Sequence, residues 1–144
     1  MRENAMDELT GKRALVVDDD PDIRCAVRVV LESAGMETRE SVSAEEGLAL
    51  ARRWHPDVVI ADLMMEDINA GADLSCRLCE ELPGCPVILL SAIGRHLSQS
   101  IDFSAYGLRA VLQKPVSPRE LLDTVAAVIR GDAPESLRQR SAER

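Results

Sequence analysis

Five short extended stretches, four of them aliphatic and β-branched and one more charged, alternate along the chain with stretches whose apolar residues recur at helical spacing. The first run, residues 13–17, ends in three acids, Asp18, Asp19 and Asp20. Asp20-Pro21 then supplies an N-cap and a first-turn proline for a helix whose stripe is Ile23, Val27, Val30, Leu31 and Ala34, closed by Gly35. Residues 36–41 read as a more charged edge strand, and Ser43 with Glu46 forms a capping box for a second helix that runs to Trp54. His55-Pro56-Asp57 breaks that helix. A third run, Val58-Val59-Ile60-Ala61, stops abruptly on Asp62. After a loop over 63–71, Leu74, Leu78 and Leu82 mark a third helix that Pro83-Gly84 terminates, and the apolar residues 86–90 form a fourth strand ending at Ser91. Residues 93–109 carry a weak helical stripe of Leu97, Ile101, Ala105 and Leu108, diluted by serines and Gly94. Residues 110–113 are the fifth strand, ending before Lys114-Pro115. Ser117 and Glu120 cap a last helix with Leu121, Leu122, Val125, Val128 and Ile129 that closes at Gly131.

Strand-helix alternation with short connections predicts an α/β fold, a doubly wound five-stranded parallel sheet with helices on both faces. Its folded unit spans 12–131. Residues 1–11 are polar, without period and expected to be flexible, and 132–144 read as a polar tail or the start of a linker.

At 144 residues the chain is long enough to bury one core without staples, and no apolar run approaches the length that spans a bilayer. Residues 1–7 lack the apolar segment of a signal peptide, so a cytoplasmic location is expected. A formal net charge of −8 disfavours direct nucleic-acid binding, which needs a clustered basic footprint. Of the four cysteines, Cys76 and Cys79 share one helix rather than opening one after a strand. With Cys85 and Cys25 they read as reduced packing residues.

Ligands of open α/β sheets bind at the carboxyl edge of the strands, where this pattern puts Asp18, Asp19, Asp62, Ser91 and Lys114. Singly, each has an ordinary explanation: a carboxylate as a solvated turn residue, Ser91 as a helix cap, Lys114 as a turn lysine. Jointly, three carboxylates that repel one another unless a cation neutralises them suit a hard divalent ion, and Mg²⁺ fits a site of few carboxylates plus a phosphoryl group. The lysine ammonium and serine hydroxyl are complementary to phosphoryl oxygens. An aspartate can also act as the nucleophile of phosphoryl transfer, and Asp62, alone at its strand end, is the best placed.

Val17-Asp18-Asp19-Asp20-Pro21, Asp62-Leu63-Met64-Met65, Ser91-Ala92 and Lys114-Pro115 together resemble the signature of response-regulator receiver domains of two-component signalling, over roughly residues 12–130. The resemblance implies the flavodoxin-like strand order 2-1-3-4-5. It implies that Asp62 is phosphorylated by a sensor histidine kinase or a histidine phosphotransfer protein. Asp19, Asp62 and the Met64 carbonyl would then bind Mg²⁺ directly, with Asp18 acting through water. Ser91 and Lys114 would contact the phosphoryl group and, with Asp62, form the catalytic set of a domain that catalyses its own phosphorylation and dephosphorylation but turns over no separate substrate. Ser91 and Val111 occupy the switch positions. Val111 stands where the family usually carries an aromatic side chain, so coupling through it is expected to be reduced or rerouted. Glu66 replaces a usual proline, in a loop longer than usual. Output is expected through a downstream protein partner at the face of the fourth helix, fifth strand and last helix, with homodimerisation through that face left open. The chain carries no recognisable output domain and reads as a stand-alone receiver or a fragment. The alternative is a receiver-like interaction module that works without phosphorylation. A haloacid-dehalogenase-type phosphatase would need an Asp-x-Asp-x-Thr/Ser pattern, which neither acidic stretch supplies.

Overall fold

The structure, a computed structural model, describes residues 8–62, 76–78, 80–82, 84–91, 108–113 and 116–131. Five strands, β1 (Arg13–Val17), β2 (Glu37–Ser41), β3 (Val58–Asp62), β4 (Val87–Ser91) and β5 (Leu108–Gln113), form one parallel sheet in the order β2-β1-β3-β4-β5. Helices α1 (Pro21–Ser33), α2 (Ala44–Trp54) and α3 (Pro118–Arg130) follow β1, β2 and β5, and residues 76–78 and 80–81 are also helical.

Side-chain alternation along the strands sorts the core into two layers. Ala14, Val16, Val58, Ile60, Ile88 and Leu90 pack with Val27 and Leu31 of α1 and Leu121 and Val125 of α3. Their neighbours Leu15, Val17, Val59, Ala61, Val87 and Leu89 pack on the opposite face with Leu48, Ala51 and Trp54 of α2 and with Leu78. The sheet is therefore doubly wound, and all five residues of β3 are buried.

The helix starts match the capping signals. The Asp20 carboxylate accepts from the Asp22 amide at 2.9 Å, Ser43 Oγ from Glu46 at 3.2 Å, and Ser117 Oγ from Glu120 at 3.0 Å. α2 ends on His55, which takes a left-handed backbone (φ 56°) while its amide bonds Ala51 O. Asp57 then ties β3 to β1, its Oδ2 accepting from the Arg13 amide and its own amide donating to Arg13 O.

Two features differ from the pattern-based expectation. Glu8 to Gly11 is folded: Leu9 is fully buried in the α1/α3 layer, the Gly11 amide donates to Gly35 O, and Glu8 pairs with Arg130 at the end of α3. A single leucine in a polar stretch shows no period, so burial there comes from tertiary contact alone. β5 also begins two residues early. Leu108 pairs with Val87 and Ala110 with Ile88, so Arg109 is an extra residue in the register. The remainder of the expected 93–109 helix lies outside the described residues.

Cys25 is exposed, Cys76 and Cys85 are partly buried free thiols, and Cys79 lies outside the described residues. Burial pushes the Cys85 thiol up to about 12. In the folded protein Cys25 is therefore expected to react with a thiol reagent at mildly alkaline pH well before Cys85, with Cys85 reacting on unfolding. Equal labelling rates of the two in peptide-resolved mass spectrometry would contradict this.

Candidate functional site

Strand register sets the level at which each candidate leaves the sheet. Val17 pairs with Ala61, so the next residues on the two parallel strands, Asp18 and Asp62, emerge side by side at the carboxyl edge. Asp62 pairs with Leu90 and Ser91 with Gln113, so β4 and β5 reach the same edge one residue further on.

Asp18, Asp19 and Asp62 converge: each offers a carboxylate oxygen, and these oxygens lie within 4.8 Å of one another. Asp18 is 1% exposed and Asp62 6%, whereas Asp19 is exposed. Among the described residues, two of the converging acids are thus buried and one faces solvent. The loop after β1 is pinned at several points. The Asp18 amide donates to Ser41 O at 3.0 Å, its Oδ1 accepts from the Asp20 amide at 2.9 Å, and its carbonyl accepts from Arg24 Nη1 at 2.7 Å. Ser41 Oγ in turn bonds Ser43 O, so the β2 end braces the β1 end.

The donor set fits a hard divalent cation. Among the described residues the converging groups are carboxylates alone, with neither imidazole nor thiolate. Of the other expected residues, Ser91 is the last residue of β4 and Val111 lies in β5 opposite Leu89, but their side chains fall outside the described residues. Met64, Glu66 and Lys114 lie wholly outside them. Lys114 directly follows Gln113, the partner of Ser91.

Arg24 stands outside the motif yet touches the site. Its only sequence signal is an arginine in the first turns of the helix after the acids, with an acid, Glu40, on the neighbouring edge strand. A cleft lined by His55, Pro56, Glu81 and Cys85 opens at the opposite end of the sheet, before β3 and β4, and shares no residue with the acidic cluster.

Comparison with known proteins agrees with this geometry. Residues 14–126 match the model of the response regulator receiver domain. The phosphate regulon regulatory protein PhoB of Pseudomonas aeruginosa is 34% identical over 128 residues, which cover 88% of this chain and 55% of PhoB. PilH of the same organism is 32% identical over 83% of this chain and 98% of its own length. A CheY-like receiver domain from Methanospirillum hungatei superposes with a TM-score of 0.76 at 28% identity, covering 85% of this chain and 96% of that one. The chain spans about half the length of several relatives it matches, PhoB and the RpaA regulator of Synechocystis among them. A match over most of the chain, with the fold and strand order to go with it, means that this protein belongs to the response regulator receiver domain family.

Proposed function

We propose that the chain is the phosphoacceptor of a two-component phosphorelay, with Asp62 as the phosphorylated residue. The observation that carries this reading is the convergence of three carboxylates at the end of the central strand, with the Asp62 side chain nearly buried beside an exposed Asp19. A carboxylate oxygen of Asp62 attacks the phosphorus of a phosphohistidine. The new P–O bond forms as the P–N bond breaks, and the imidazole leaves with the electron pair and takes up a proton. The donor is a sensor histidine kinase or a histidine phosphotransfer protein.

Mg²⁺ is the cofactor proposed, held by Asp19, Asp62 and the Met64 carbonyl, with Asp18 acting through water; it would supply charge neutralisation for the phosphoryl oxygens. Ser91 and Lys114 are the proposed contacts to the phosphoryl group, following Asp62 and Gln113 in the register of the adjoining strands. Ser91 and Val111 are the proposed switch positions.

The receiver unit proposed runs to Gly131, with 132–144 as a tail or linker. A cytoplasmic location is proposed with it; among the described residues no helix is long and apolar enough to cross a membrane. A net charge of −8 supports output through a protein partner, at the face of the fourth helix, fifth strand and last helix, rather than through nucleic acid, with homodimerisation through that face left open.

Incubation with Mg²⁺ and acetyl phosphate followed by intact mass tests the reading. A single phosphoryl adduct is expected, lost when the metal is chelated. No adduct with any small phosphodonor would instead favour a receiver-like module regulated by partner binding alone.

A further inference from the structure

The carboxylate of Asp19 is exposed, so its aim depends on the backbone that carries it. That backbone has an anchor. The carbonyl of Asp18 belongs to the peptide that leads into Asp19, and it accepts a 2.7 Å hydrogen bond from Arg24 Nη1. The Arg24 side chain is only 16% exposed, and its Nε is held at 2.9 Å by Glu40 Oε1 on β2. The other Glu40 oxygen lies 3.0 Å from Arg28 Nε in an ion pair without a hydrogen bond, and Arg28 reaches Glu32, whose second oxygen accepts from Thr38 Oγ1 at 2.7 Å. One guanidinium thus links the acidic loop to the edge strand through two different nitrogens.

We propose that Arg24 is a positioning residue for the divalent ion: by holding the Asp18 carbonyl from the β2 side, it fixes the peptide plane that aims the Asp19 carboxylate. This rests on the metal site proposed above. A guanidinium has the shape for the task, because its planar fork gives two bonds in fixed directions to a carbonyl and a carboxylate. A lysine ammonium could reach one of them but would not fix the angle between them.

The sign of the effect separates positioning from simple charge. A cation beside a divalent site repels the ion, so if charge were all that Arg24 contributes, removing it would tighten binding. If Arg24 holds the ligand's backbone, removing it weakens binding, as loss of groups that orient metal ligands does.

The test is Mg²⁺ affinity of the full chain, by calorimetry or by competition with Mn²⁺ in electron paramagnetic resonance, alongside circular dichroism. Arg24→Ala is expected to weaken Mg²⁺ binding about tenfold. Arg24→Lys should recover part of that loss. Arg28→Ala, which alters the same surface ion pairs without touching Asp18, should bind as the parent does. The acetyl phosphate reaction of Arg24→Ala should slow at low Mg²⁺ and return toward the parent rate at saturating Mg²⁺.

Should Arg24→Ala fail to fold, Arg24→Lys, which keeps the charge, carries the test and is expected to bind more weakly than the parent. Parent-like or tighter binding in the folded Arg24 variants overturns the inference while leaving the metal site standing. A parent chain that binds no Mg²⁺ overturns the metal site itself, and the inference with it.

Discussion

Asp62→Asn should lose the phosphoryl adduct and unfold at a higher denaturant concentration than the parent when no metal is present. The two effects share one cause. In the proposed reaction Asp62 supplies the oxygen that bonds to phosphorus, and a carboxamide is a far poorer nucleophile. Adduct formation should therefore fall by roughly a thousandfold or more, the scale on which loss of an acting nucleophile is felt. The same substitution removes one of three negative charges whose oxygens lie within 4.8 Å of one another. Relief of that repulsion, screened on the open Asp19 side, is worth on the order of 1 kcal/mol. Urea unfolding with and without Mg²⁺ reads the second effect: Mg²⁺ should stabilise the parent more than the variant. Equal metal stabilisation in both would mean that Asp62 is no part of the ion's site.

Gly47→Val should destabilise the fold by about 1–3 kcal/mol, the usual cost of forcing atoms into a packed interface. A Cβ at this position in α2 would lie 2.9 Å from Val17 Cγ2 and 3.5 Å from Ser41 Oγ. Val17 is fully buried and β-branched, so its χ1 freedom is restricted and the strain falls largely on the helix, which must shift outward. Gly47→Ala meets the same contact but gains about 1 kcal/mol in helix propensity, so it should fall between parent and valine variant. Displacement of α2 would also disturb Ser41, whose carbonyl holds the Asp18 amide, so weaker Mg²⁺ binding should accompany the stability loss. A valine variant as stable as the parent in urea unfolding would show that α2 does not approach β1 as closely as this.

What was legible in the sequence, and what was not, follows from the reach of each interaction. Strands β1, β3 and β4 were readable because their aliphatic runs are buried, and three helices because Asp20, Ser43 and Ser117 cap them locally. Asp18, Asp19 and Asp62 were readable because strand ends in a parallel sheet share one edge, and the register confirms that Asp18 and Asp62 leave it together. Leu9 was not, since its burial depends on α1 and α3 packing over it and leaves no periodic trace. The register slip at Arg109 was hidden for a similar reason: Leu108 fits a helical stripe in the sequence, and only pairing with Val87 draws it into β5. Arg24 and Glu40 lie 16 positions apart on different elements, and no local pattern announces that they meet.

Reductive trapping of the adduct tests the central claim most directly. After reaction with acetyl phosphate and Mg²⁺, borohydride converts a phosphorylated aspartate to homoserine, which peptide sequencing by mass spectrometry can place. The modification is predicted at Asp62 and nowhere else; homoserine at Asp18 or Asp19, or none at all despite an adduct in the intact mass, would contradict the account.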